Sequence, residues 1–165
     1  MNEATRHPGT CPFCLPGTQS NAFASSGSFL ALYNIAPILP GHALIIPRMH
    51  VESMRSLPDD LIAEFFLFAR EVTEILLSYY NADAFDWSIQ DNEAAGQTVP
   101  HLHLHIVVRH HSDLSAPGDW YPLLDANGKT GSEGRPKLSK SEYTEITEQL
   151  RSAYSIRKKQ GDIRR

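Results

Sequence analysis

His101-Leu102-His103-Leu104-His105-Ile106-Val107 is the stretch from which the rest of the chain can be read. Imidazoles alternate with apolar side chains, and a strand sends alternate residues to opposite faces. Leu102, Leu104 and Ile106 then enter a core while His101, His103 and His105 line the other side. Histidine supplies only 8 of 165 residues, so three on one sheet face point to chemistry. The plain alternative is a row of solvated surface histidines. A single metal does not take all three easily. At about 3.3 Å per residue the outer Cα atoms lie roughly 13 Å apart, whereas zinc needs its nitrogens about 2.0–2.1 Å away. Adjacent members can share one. The third reading is nucleophilic catalysis, because a neutral imidazole near pH 7 can carry a transferred phosphoryl group. His103, in the middle, has a possible donor on each side. Gly96-Gln97-Thr98 leads straight into it, a small residue with an amide and a hydroxyl that suit a phosphate.

Working outward, the next element upstream is Ala84 to Gln90. Phe85, Trp87 and Ile89 alternate with Asp86, Ser88 and Gln90, the pattern of a strand with one polar face. Asp91 to Pro100 is a loop, and the strand itself spans His101 to Val108. Before these lies the longest periodic segment, Asp59 to Tyr80, with Leu61, Phe65, Phe68, Val72, Ile75 or Leu76, and Tyr79 at helical spacing. Ser56 is its expected N-cap, and Pro58, Asp59 and Asp60 suit the first turn. Ser28 to Asn34 and His42 to Pro47 read as strands around a turn forced by Pro37, Pro40 and Gly41. Met1 to Gly27, which holds Cys11-Pro-Phe-Cys14, reads as irregular.

Downstream, His110 to Lys137 is a long polar excursion with Gly118, Gly128, Gly131 and Gly134. Trp120 and Tyr121 within it read as packing residues. Ser139 and Glu142 form a capping box that opens a second helix with Tyr143, Ile146, Leu150 and Ala153 on one side. Arg157, Lys158, Lys159, Arg164 and Arg165 close the chain as a solvated basic tail. Two strand pairs, each followed by a helix, indicate an α+β fold with a mainly antiparallel sheet.

Composition narrows the function. The chain has 15 basic and 19 acidic residues, a net charge of −4, and 41% hydrophobic residues. That supports a packed core, and the sign of the charge does not favour a general binder of nucleic acid or anionic membrane. No apolar run approaches the roughly 20 residues of a membrane helix, and Met1 to Thr10 lacks a signal-peptide pattern. A cytoplasmic protein is expected. There, two cysteines three positions apart suit ligation better than a disulfide.

The sequence resembles the histidine triad (HIT) family, whose mark is His-φ-His-φ-His-φ-φ with φ apolar. His101 to Val107 fits throughout, and the resemblance covers roughly Cys11 to His110, with Asn34, the Pro40-Gly41-His42 turn and the long helix in place. Gln90-Asp91, followed after three residues by Ala95-Gly96-Gln97-Thr98-Val99, looks most like the fragile histidine triad branch, which cleaves dinucleoside polyphosphates. The Hint branch usually has asparagine where Gln90 stands, and the uridylyltransferase branch ends its triad in glutamine where this chain has His105. The implied organisation is a HIT domain over 1–110, with 111–165 adding the excursion, helix and tail to the same structural unit.

Carried over by position, the resemblance makes His103 the nucleophile on the α-phosphorus. His105 becomes the residue that binds phosphate oxygens and helps the leaving group, and His42 supports the triad. Asn34 would contact the ribose, while Gln90, Gln97 and Thr98 would hold the phosphates. No catalytic metal is implied, although magnesium often accompanies polyphosphates. Many bacterial members pair a Cys-x-x-Cys with two histidines around structural zinc, which here implies Cys11, Cys14, His50 and His101. Family members form homodimers, so a dimer is expected. His7, His110 and His111 have no family counterpart and read as surface histidines. The rival readings are a Hint-type phosphoramidase or nucleotidyl-sulfate hydrolase, a dinucleoside polyphosphate phosphorylase, and a zinc-binding interaction module with an idle triad.

Overall fold

Every residue of Phe29–Tyr33 is buried, as is every residue of Ala43–Pro47. Two short runs that are apolar on both faces need cover from both sides, and that need organises the molecule. The computed structural model describes residues 11–113 and 135–162. Over these the chain forms α1 (Pro16–Ser20), β1 (Ala24–Ser25), β2 (Phe29–Tyr33), β3 (Ala43–Pro47), α2 (Asp59–Tyr80), β4 (Ala84–Ser88), β5 (Leu104–Arg109) and α3 (Lys140–Asp162). The strands make one five-stranded sheet in the order β1-β2-β3-β5-β4, antiparallel at every pairing. The expected α+β, HIT-like architecture is what the chain adopts.

One face of the sheet presents Phe29, Ala31, Tyr33, Ala43, Ile45, Leu104, Ile106 and Val108, which share a core with Phe65, Phe68, Ala69, Val72 and Leu76 of α2. Leu150 of α3 belongs to the same core. On the opposite face Leu30, Leu32, Leu44 and Ile46 are covered in part by Phe13 and Ala22. Each such fully buried aliphatic side chain stabilises the fold by roughly 1.5–3 kcal/mol. The N-terminal segment is therefore structural cover. It is not irregular throughout as its sequence suggested, since it contains α1 and the two residues of β1 that pair with Leu30 and Ala31.

The long helix has the bounds that its periodicity predicts, but its start differs. Ser56 is not its N-cap: Met54–Ser56 form a 3₁₀ turn of their own, capped by the Ser53 hydroxyl, which accepts from Arg55 N–H at 3.1 Å. Pro58 occupies the N-cap position of α2. A residue before proline is driven to extended backbone, and Leu57 at ψ 129° separates Ser56 from the helix. Asp59 and Asp60 do lie in the first turn, where they oppose the helix dipole. The capping box of α3 forms as expected, with Ser139 N–H donating to Glu142 at 2.8 Å and Glu142 N–H to the Ser139 hydroxyl at 3.3 Å. Arg157 and Lys158 reach Glu74 and Glu71 across solvent, pairs that add little stability.

Two strands are shorter than their alternation predicts. β4 stops at Ser88, and Phe85 on its apolar face stays 44% exposed because β4 is the sheet's outer edge. β5 begins at Leu104, not His101. β3 ends in Pro47, which has no N–H to give a ladder, and Leu102 N–H donates instead to the Val51 carbonyl. His101 to His103 therefore enter the sheet from the side. His7, Gly118, Trp120, Tyr121, Gly128, Gly131, Gly134, Arg164 and Arg165 lie outside the described residues.

Candidate functional site

The turn Cys11-Pro-Phe-Cys14 closes with Cys14 N–H donating to the Cys11 carbonyl at 3.1 Å, which turns both sulfurs the same way. They meet two imidazoles. His101 Nδ1 lies 3.4 Å from Cys11 Sγ and 3.6 Å from Cys14 Sγ, and His50 Nδ1 lies 3.3 Å from Cys14 Sγ. The four candidate ligand atoms are all within 4.8 Å of one another. Each ring is held from behind: His101 Nε2–H donates to the Pro47 carbonyl at 3.0 Å, and His50 Nε2 faces the Glu52 carboxylate at 3.4 Å. Both Nδ1 lone pairs are thereby aimed at the sulfurs, the orientation that outer partners impose on metal-binding histidines. Burial pushes the His101 ring down to about 4, so it is neutral and can ligate. Burial and the adjacent Cys11 thiol push the Cys14 thiol up to about 11, so neither geometry nor charge favours a thiolate without a cation beside it. Two cysteines and two histidines in a closed group can bind a metal ion, and they suit tetrahedral coordination.

The remaining histidines form a second cluster. His103 is 6% exposed, and its Nδ1–H donates to the His101 carbonyl at 2.7 Å. The lone pair of a neutral His103 is consequently on Nε2. Burial holds its pKa below the usual histidine value, against the opposing pull of that hydrogen bond. His105 lies beside it, with ring centroids 4.9 Å apart. β3 pairs with β5 at Leu44↔His105, which brings His42, the residue just before β3, against His105. His42 Nε2 is 2.9 Å from His105 Nδ1.

The protons on these two rings follow from their partners. Ile38 N–H donates to His42 Nδ1 at 3.1 Å, so a neutral His42 carries its proton on Nε2 and donates it to His105 Nδ1. His105 then carries its own proton on Nε2. Burial keeps both rings neutral, pushing His42 down to about 3 and His105 well below its ordinary value, with Arg135 and His103 adding to the effect. The outcome is an Nε2 lone pair on His103 beside an Nε2–H on His105.

The other residues singled out from sequence have definite places. Asn34 Oδ1 accepts Ala36 N–H at 2.9 Å, and its Nδ2 lies 3.2 Å from His42 Nε2. That ring nitrogen is itself a donor in this arrangement, so the amide hydrogen receives no lone pair from it. Gln90 Nε2 donates to the Ser88 hydroxyl at 2.9 Å. The Gln97 amide is engaged within the protein: Oε1 accepts Asn92 N–H at 3.0 Å, and Nε2 donates to the carbonyls of Glu52 at 2.8 Å and His101 at 3.3 Å. Thr98 is exposed. His110 and His111 are outside both clusters, His110 Nε2 donating to the Tyr80 carbonyl at 3.2 Å.

Four participants were not visible in the sequence. Phe13 packs edge-on against His101 and His103 at centroid distances of 5.6 and 5.5 Å. The Pro47 carbonyl and Glu52 fix the two metal-facing rings, and Arg135 Nε donates to the Ala36 carbonyl in the loop that leads to His42. Only Phe13 carried a signal, as the single aromatic between the two cysteines.

Comparison with known proteins agrees with this geometry. The HIT domain profile matches residues 17–112. A bis(5′-nucleosyl)-tetraphosphatase (asymmetrical) of Schizosaccharomyces pombe is 36% identical over 108 residues, covering 66% of this chain and 59% of that protein. The chain thus spans less than two thirds of that relative's length. A bis(5′-adenosyl)-triphosphatase of Dictyostelium discoideum is 29% identical over 131 residues, covering 79% and 88%. Among solved structures, a Zn-bound histidine triad family protein from Mycobacterium smegmatis superimposes with a TM-score of 0.67 at 24% identity, covering 93% of this chain and 99% of that one. With its triad, its sheet and more than half its length matched, the chain belongs to the HIT domain family.

Proposed function

We propose that the chain hydrolyses dinucleoside polyphosphates, diadenosine polyphosphates first among them, by way of a nucleotidyl-histidine. The observation that carries this reading is the bond from His103 Nδ1–H to the His101 carbonyl, which leaves the Nε2 lone pair free for attack. In the first displacement His103 Nε2 bonds to the α-phosphorus, and the bond from phosphorus to the bridging oxygen breaks. The remaining nucleotide departs as a phosphate anion. His105 Nε2–H donates to a phosphate oxygen and supports the departing chain. His42 holds His105 in that tautomer, and Asn34 offers its amide hydrogen to the ribose. In the second displacement water attacks the same phosphorus, the P–N bond breaks, a mononucleotide and a proton are released, and His103 returns to its starting state. Two easier steps replace one hard one, with oriented donors stabilising the charge. The names of the S. pombe and D. discoideum relatives, a tetraphosphatase and a triphosphatase of this kind, support the substrate class.

In this reading Cys11, Cys14, His50 and His101 hold zinc in a structural role, and the fit of the donor set supports it. Bound there, zinc supplies a rigid cross-link between the N-terminal turn, the end of β3 and the entry to β5. Magnesium, where present, arrives with the polyphosphate. A homodimer is supported by the edge position of β4 among the described strands, beside which Phe66 and Phe85 are exposed.

The test is mass spectrometry of the zinc-replete protein with diadenosine triphosphate and, separately, with an adenosine phosphoramidate, next to His103→Ala. Release of AMP from the triphosphate with a transient adenylyl adduct is expected, and the variant should lose the adduct and at least about a thousandfold in rate. Turnover of the phosphoramidate alone would move the assignment to a P–N hydrolase. No reaction with either would remove the mechanism.

A further inference from the structure

Arg135 lies beyond the matched HIT domain, which ends at residue 112, yet it bonds to the loop between Asn34 and His42. Residues 135–138 run along the loop that follows Asn34, with Leu138 N–H donating to the Ile35 carbonyl at 2.9 Å. Arg135 Nε donates to the Ala36 carbonyl at 3.0 Å, fixing the guanidinium at its base. Its Nη1 is fully buried and has no hydrogen-bond partner. Among the described residues no carboxylate pairs with it either. A buried guanidinium nitrogen without a partner is costly, and in the half-buried Arg135 side chain that Nη1 donor is suited to meet an anion.

The neighbours indicate which anion. The Ala36 residue that holds Arg135 also donates its N–H to Asn34 Oδ1, Asn34 Nδ2 lies 3.2 Å from His42 Nε2, and that nitrogen is 2.9 Å from His105 Nδ1. Along the histidine segment it therefore stands at the His105 end, opposite the metal-binding cluster. We propose that Arg135 binds the phosphate chain beyond the α-phosphorus, so that the C-terminal segment of this protein selects substrates whose leaving group is itself a phosphate anion. This rests on the hydrolase reading for its biological meaning, but the anion site can be tested without catalysis. A guanidinium suits the task because its planar donors match phosphate oxygens in pairs.

The experiment is calorimetric titration of the zinc-replete wild-type chain, Arg135→Gln and Arg135→Lys with inorganic triphosphate and, separately, with adenosine monophosphate. Thermal melts establish that each variant is folded. Arg135→Gln should weaken triphosphate binding about tenfold or more, as expected for a lost charge-assisted contact, and change monophosphate binding by less than about twofold. Arg135→Lys should recover part of the loss, since it keeps the charge without the paired donors. Equal weakening of both ligands, unchanged triphosphate binding in Arg135→Gln, or no triphosphate binding by the wild type would each overturn the proposal. A wild type that binds triphosphate through Arg135 but does not cleave diadenosine triphosphate would leave this site standing and remove the hydrolase reading alone.

Discussion

Gly41 sits one residue before His42 with φ +88°, in the left-handed region that favours glycine. A Cβ built there would come within 2.3 Å of Val108 Cγ2 and 3.0 Å of Tyr80 Cδ2. Val108 is itself 1% exposed and held in β5 between its neighbours, so it cannot swing aside. Gly41→Ala therefore combines two penalties. The left-handed backbone costs a Cβ-bearing residue about 1–2 kcal/mol, and forcing a methyl into a packed site costs about 1–3 kcal/mol more. The sum, about 2–5 kcal/mol, corresponds to a melting point lower by roughly 4–20 °C for a domain of this size. Gly96→Ala is the internal control. It shares the backbone penalty at φ +94°, but the nearest atom to its Cβ would be Gln90 Cγ at 3.8 Å. Thermal melts of the two zinc-replete variants thus separate clash from conformation, and Gly41→Ala should melt several degrees below Gly96→Ala. The clash would also shift the turn whose Ile38 N–H orients His42, so turnover should fall further than the residual fold alone explains. Equal melting points for the two variants, or a Gly41→Ala melt within about 2 °C of wild type, would refute the packing argument.

Three further outcomes are expected. Zinc removal by chelation, or Cys14→Ser, should lower stability by about 4 kcal/mol relative to a free-metal level a thousandfold above the dissociation constant. Metal analysis should find one zinc per chain, and a metal-free chain that melts like the loaded one would sink the structural-site reading. Stability should also fall in acid because of His42. Its folded pKa is held near 3 by burial, then by Arg135, and the unfolded ring titrates near 6.5, so the unfolded chain takes up the proton first. That contribution is fully present above about pH 6.5 and declines toward pH 3, by at most about 1.4 kcal/mol per pH unit, with His105 acting in the same direction. Urea midpoints of wild type and His42→Asn across that window test it, and identical slopes would count against it. Thr73→Val should cost about 1–3 kcal/mol, since the Thr73 hydroxyl accepts the Trp87 indole N–H at 2.9 Å and the variant leaves that donor unpaired. An unchanged urea midpoint would show that water replaces the bond.

What the sequence made legible was whatever depends on period and local chemistry. The helix at Asp59–Tyr80 follows from apolar spacing, the start of α3 from Ser139 and Glu142, and the two hairpins from alternation around turns. The failures share a cause. Ser56 looked like a cap because its residue type suits one, but the proline two positions on separates it from the helix. Alternation extended β5 back to His101, yet its ladder with β3 stops at Ile45↔Leu104, because Pro47, two residues on, has no N–H to continue it. The N-terminal segment is ordered because Phe13 and Ala22 cover Leu30, Leu32, Leu44 and Ile46 and β1 pairs with β2, and no local pattern announces either contact. Arg135 was hidden for the same reason: an arginine in a polar segment becomes notable only when folding brings it to the loop between Asn34 and His42.

The shortened strand also explains how three alternating histidines divide between two clusters. Were His101 part of β5, its ring would project beside those of His103 and His105 and would stand far from Cys11 and Cys14. Because the chain at 101–103 pairs with the Val51 segment, the His101 ring lies against the end of β3, where the Pro47 carbonyl takes its Nε2–H. Its own carbonyl is then directed at His103, taking that ring's Nδ1–H, and it also accepts from Gln97. One peptide unit thus links the metal-facing ring to the tautomer of the neighbouring histidine. Gln97 joins this linkage through its Nε2, while its Oε1 accepts from Asn92 N–H. A phosphate that used the same amide would have to displace bonds to Asn92, Glu52 and His101. Gln97, whose place before the histidines suggested a phosphate contact, has its amide bonded here to the backbone of Asn92, Glu52 and His101.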